Sequence, residues 1–77
     1  MELAEILGTK LKGLRKERNL TQQKVADILG TSQTMYARYE RGANELPIHH
    51  LITLCNLYRV SADYLLGLTP KSKKEYR

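Results

Sequence analysis

Tryptophan and phenylalanine are absent, so a core must be built from aliphatic side chains and the five tyrosines. Cysteine occurs once, at Cys55, which excludes an internal disulfide and any metal site built on several thiolates. A lone thiol between Leu54 and Leu57 reads as buried packing in a reducing compartment. No apolar run approaches the roughly 18 residues that a membrane-spanning helix needs. The opening MELAEILGTKLKG carries acidic residues early and lacks the apolar centre of a secretory leader. The five glycines stand apart, so no glycine-rich phosphate loop is present. No nucleophile, base and orienting group fall at motif spacing, and the chain does not read as an enzyme. His49 and His50 are adjacent, so on a helix they point about 100° apart and do not chelate one metal. They are expected to be exposed and polar. No metal, cofactor or small-molecule ligand is expected.

What is present is positive charge. Thirteen Lys and Arg against eight Asp and Glu give a formal net charge of +5 and a pI near 9.6. That balance fits a polyanionic partner such as nucleic acid, although an ordinary basic surface has the same arithmetic. The 77 residues make one small domain. A chain of this size buries only about 60% of its unfolded surface, so close helix packing or a partner subunit has to contribute stability.

The pattern predicts five helices and no strands. The first runs from about Leu3 to Arg18, with Leu3, Leu7, Leu11 and Leu14 as one apolar stripe. The second is capped by the Thr21 hydroxyl, stapled by Leu20 and Val25, and ended by Gly30. The third occupies 33–41, capped by Ser32 and closed by Gly42, with Tyr36 and Tyr39 as its large apolar residues. Pro47 sits at the first turn of the fourth, which reaches about Tyr58 and is expected to bury Ile48, Leu51, Ile52, Leu54 or Cys55, and Tyr58. The fifth runs from Ala62 to about Leu66, capped by Ser61, with Val60 and Leu65 as a second staple. After Leu68 the composition turns basic and polar, so 1–68 reads as the domain and 69–77 as a basic flexible tail. Lys71, Lys73, Lys74 and Arg77 in that tail suit either nonspecific attraction to DNA or solubility.

Only GTS separates the second and third helices, which forces them to cross steeply near the turn. Close contact needs a small residue, met by Ala26, and bulky side chains facing back, met by Tyr36 and Tyr39. Counted from Gln22, the small residue, the glycine and the two inward tyrosines fall at offsets 4, 8, 14 and 17. The segment QQKVADILGTSQTMYARYER resembles the helix-turn-helix of the phage repressor and Cro family, also called the xenobiotic-response-element family. The resemblance extends over about residues 7–68, through LKGLRKERNLTQQ, YERG and VSADYLLGL. It implies an all-α, compact five-helix bundle of the lambda-repressor-like DNA-binding type, with a central helix-turn-helix. It also implies a bacterial or phage regulator acting in the cytoplasm on double-stranded operator DNA.

The resemblance places helix 33–41 in the major groove, where each base pair shows a distinct pattern of donors and acceptors. Gln33, Thr34, Ala37 and Arg38 are then the base-reading set. Gln33 suits adenine N6 and N7, Arg38 suits guanine O6 and N7, Thr34 suits a base edge or a thymine methyl, and Ala37 permits close approach. Outside such a motif, the same residues would be ordinary solvated polar groups. Phosphate contacts fall to Gln22, at the start of the second helix, and to Ser32, Arg41 and Asn44 flanking the reading helix. The family usually has isoleucine or valine where this chain has Tyr36. The larger ring is expected to lean outward, with its hydroxyl near solvent or a phosphate. Arg15 and Glu40 are implied to form a structural ion pair.

One reading helix covers few base pairs, so a palindromic operator and a homodimer are expected. The dimer would form through the globule itself, by way of Tyr64, Leu65, Leu66 and Leu68. A five-residue helix cannot bury all four against its own core. The expected function is a sequence-specific DNA-binding transcriptional regulator, a repressor. The alternative is an antitoxin-type DNA-binding protein that acts with a protein toxin.

Overall fold

Three hydroxyl side chains set where three of the helices begin. In the computed structural model, which describes residues 2–69, Thr21 Oγ1 accepts the Lys24 N–H at 3.0 Å, Ser32 Oγ accepts that of Met35 at 3.0 Å, and Ser61 Oγ accepts that of Tyr64 at 3.0 Å. Each satisfies an N–H that the first helical turn leaves without a backbone partner. The helices are α1 (Leu3–Glu17), α2 (Gln22–Leu29), α3 (Gln33–Arg41), α4 (Ile48–Tyr58) and α5 (Ala62–Leu65). The described residues form an all-α bundle, as expected, and none of the helices is long and apolar enough to cross a membrane. The tail reading falls outside the described residues, except for Thr69.

The turn between α2 and α3 is short because Gly30 adopts a left-handed backbone, with φ at 75°. Its N–H donates to Asp27 O at 3.1 Å and the Thr31 N–H donates to Ala26 O at 3.0 Å, which ties off the last carbonyls of α2. Ala26, on the inner side of this crossing, is fully buried.

Leu7, Leu11 and Leu14 of α1 meet Val25, Ala26, Tyr36, Tyr39, Leu54, Cys55, Tyr58, Val60 and Leu65 in one core. Both staple pairs hold, with Val25, Val60 and Leu65 buried and Leu20 packed against them. Three expectations fail. Leu3 is 55% exposed, so the α1 stripe starts at Leu7. In α4 the buried residues are His50, Leu54, Cys55 and Tyr58, whereas Ile48 and Ile52 lie 74% and 57% exposed. The sequence IHHLITLCNLY is apolar almost all round, so its periodicity did not fix which face turns inward. The packing does, because the Tyr39 ring takes the His50 ring as a neighbour at 6.0 Å, edge to face. His50 is therefore not the exposed polar residue expected.

Candidate nucleic-acid interface

A buried ion pair anchors the inner end of α3. Arg15 Nε donates to Glu40 Oε2 at 2.6 Å and Nη2 donates to Oε1 at 3.1 Å, a two-point grip between α1 and α3. The remaining Arg15 nitrogen, Nη1, donates to Leu20 O at 2.9 Å. Both side chains are enclosed, at 11% and 2% exposure. Burial alone would raise the Glu40 carboxyl, but the hydrogen bonds and charge of Arg15 prevail and hold it below the usual carboxylate range. The same hydrogen bond raises the Arg15 guanidinium against its own burial.

The grip extends outward through two glutamines. Gln22 Nε2 donates to Glu40 Oε1 at 3.1 Å, and Gln33 Nε2 donates to Gln22 Oε1 at 2.7 Å. A continuous chain of polar contacts thus runs from α1 across the end of α2 to the first residue of α3. Sequence reading gave the ends of this chain, Arg15 with Glu40 and Gln33, but not the bonds that join them.

Of the expected base-reading set, Thr34 and Arg38 are exposed, and Gln33 and Ala37 are half-buried. All four lie on one short helix whose start is fixed by the Ser32 cap and whose body is anchored by Tyr36 and Tyr39. Arg41 is exposed in its last turn. Ser32 is exposed too, and its hydroxyl hydrogen is left over after the oxygen has capped the helix. Asn44 is half-buried, and its Nδ2 donates to Met35 Sδ at 3.3 Å, so the loop after α3 is tied back to the helix. Gln22 is half-buried and keeps one amide hydrogen after serving Glu40.

Tyr36 corrects an expectation. It is fully buried, with its ring edge to face with Tyr39 at 6.4 Å, and cannot reach a phosphate. A helix crossing this tight leaves the ring no outward path, so the larger residue fills the core. Its hydroxyl, like that of Tyr58, has no hydrogen-bond partner at acceptable geometry. Burial first, and hydrogen bonding toward the adjacent Glu40 carboxylate second, push the phenol far above its ordinary value, so it stays protonated.

The apolar C-terminal residues are also redistributed. Leu65 is fully buried and unavailable to a partner, because a single short helix must close the core from below. Tyr64 is half-buried, with the Lys10 ammonium 4.4 Å from its ring centre and bonded to its carbonyl at 2.7 Å. Leu66 is half-buried and Leu68 is 73% exposed.

Gly8 is a positioning residue that sequence reading missed. A Cβ there would collide with the Glu40 carbonyl oxygen and come within 2.7 Å of that of Tyr39. α1 therefore passes directly over the C-terminal half of α3. The signal was a glycine inside an otherwise good helical pattern, next to the buried Leu7.

The family described as "Helix-turn-helix" matches residues 11–65 of the chain. The HTH-type transcriptional regulator ImmR of Bacillus subtilis is 40% identical over 68 residues, covering 88% of this chain and 54% of ImmR. The antitoxin PezA of Streptococcus pneumoniae is 32% identical over 62 residues, covering 80% of this chain and 39% of PezA. The chain thus spans about half the length of the first curated relatives it matches. Among solved structures, the P22 c2 repressor protein in complex with a synthetic operator superposes with a TM-score of 0.76 at 25% identity, covering 90% of this chain and all of that one.

Proposed function

The chain belongs to the Cro/C1-type helix-turn-helix family, and from that membership we propose that it is a sequence-specific DNA-binding transcriptional regulator, acting as a repressor by occupying promoter DNA. The observation that carries this reading is the outer edge of α3. Gln33, Thr34, Ala37 and Arg38 share it, and the caps, the tyrosine anchors and the Arg15–Glu40 pair hold it in place. A helix so presented fits the major groove, with Gln33 suited to adenine and Arg38 to guanine. Gln22, Ser32, Arg41 and Asn44 surround that edge as phosphate partners, which fix register without reading sequence.

The operator on this reading has two half-sites about 34–36 Å apart, read by two copies of the chain. Leu68, with the partly exposed Tyr64 and Leu66, is the apolar material for that pairing. Selection of bound sites from random duplexes tests the proposal. A recurring motif of two inverted half-sites supports it, and recovery of unrelated sequences rejects it. Affinity for the selected site should fall steeply with salt, since each neutralised phosphate contributes a log–log slope of about −0.9.

The likeness to PezA favours a second reading, in which the same domain works beside a protein toxin. Purification from the native host separates the two, because a stoichiometric small protein partner would support the second.

A further inference from the structure

Three carboxamide or carboxylate groups in a row have a direction. An ionised carboxylate only accepts hydrogen bonds, so Glu40 compels Gln22 to turn its NH2 inward. The Gln22 oxygen is then left facing α3, where it compels Gln33 to turn its own NH2 toward Gln22. One hydrogen of that NH2 is consumed. The other hydrogen, and the Gln33 oxygen beside it, remain for an outside partner. That edge, one donor next to one acceptor, matches adenine N7 and N6. If Gln22 were reversed, its oxygen would face the carboxylate, acceptor against acceptor. Gln33 would then turn its oxygen to Gln22 and point its NH2 outward, which suits the N7 and O6 of guanine instead.

We propose that Glu40, beyond its ion pair, is a positioning residue that sets the base preference of Gln33 by fixing the polarity of the Gln22 amide between them. The proposal rests on the reading of α3 as the base-reading helix. It assigns a role in specificity to a buried side chain that never meets DNA. Arg15 contributes by holding both carboxylate oxygens, so that Oε1 always faces Gln22 as an acceptor.

The test is Glu40→Gln in the full chain, which keeps the shape and lets the new amide present either an oxygen or an NH2 to Gln22. Binding is measured on the selected operator, on duplexes with A·T replaced by G·C at the position whose preference Gln33→Ala abolishes, and on random duplex. The preference for adenine over guanine at that position should drop several-fold in Glu40→Gln, while the preference at the Arg38 position and the affinity for random duplex hold. Gln33→Ala added to Glu40→Gln should remove less preference at that position than it removes from the parent. In the free protein, the side-chain amide resonances of Gln22 and Gln33 should shift and broaden. Those of Gln23, which bonds Asp27 at the surface, should stay.

Equal weakening on all duplexes, with the adenine preference intact, would overturn the proposal and leave Glu40 as a stability residue. If Glu40→Gln fails to fold, Gln22→Leu cuts the relay outside the ion pair, and an unchanged adenine preference there overturns the proposal equally. If the parent shows no sequence preference at all, the DNA-reading premise fails. The amide resonances still decide in that case, and unshifted Gln22 and Gln33 signals in Glu40→Gln, or in Gln22→Leu an unshifted Gln33, reject the relay.

Discussion

The Tyr36 hydroxyl is buried beside Glu40 but reaches no partner at acceptable hydrogen-bond geometry, so the ring more than the oxygen is what the position needs. Removing an unsatisfied buried hydroxyl can be neutral or stabilising. Tyr36→Phe is expected to leave the melting temperature unchanged or raise it, and to leave DNA affinity unchanged. Parallel melts and binding titrations check this, and a loss of affinity would restore an outward hydroxyl. Sequence alone could not decide the point, since a tyrosine where isoleucine or valine is usual can lean out or be absorbed. The absence of phenylalanine and tryptophan is the physical reason for absorption, because the tyrosines must supply the aromatic volume of the core. Other single residues were legible. Thr21, Ser32, Ser61 and Gly30 act through local backbone geometry, which a sequence states directly.

At the scale of helices, α1 and α3 are held by their closest approach as well as by their charges. Gly8→Ala should destabilise the domain by about 1–3 kcal/mol or more, because the added methyl meets backbone carbonyls that cannot turn aside. Gly13, in the same helix, has nothing within 4 Å of an added Cβ. Gly13→Ala should therefore stabilise by about 0.5–1 kcal/mol through helix propensity. Chemical denaturation of the two variants compares them directly, and a stabilising Gly8→Ala would contradict the packing described.

The same scale governs His50, buried in the first turn of α4 against Tyr39. Burial first and the adjacent His49 second lower its pKa from 6.5. The unfolded chain therefore binds the proton more readily than the folded one, and stability falls as the pH drops below about 6.5. Glu40, also depressed in the folded state, adds its own loss only at lower pH, in the carboxylate range. Melts between pH 7.5 and 5 should show a declining transition that flattens in His50→Phe. An equal slope in that variant would remove His50 as the cause. The α4 face was not legible because an element apolar on nearly every side has no favoured direction until its neighbours are in place.

For the molecule as a whole, the bundle and its helix-turn-helix were readable because turn length, caps and the small residue at the crossing all point to one arrangement. That Gln33, Thr34, Ala37 and Arg38 share one edge of α3 was legible in the same way, since helical spacing gathers them together. The relay behind it was not, because its contacts, Glu40 to Gln22 and Gln22 to Gln33, join two helices across 18 and 11 residues of sequence. Positive charge adds attraction to any duplex, so affinity alone is a poor witness of sequence reading. The ratio between the selected site and random DNA is the better one.

Arg38→Ala tests the central claim most directly. On the selected operator it should cost about 1–3 kcal/mol and relax preference at one base position, while affinity for random duplex falls far less. If the variant discriminates between operator and random duplex as the parent does, then α3 does not read DNA through this edge.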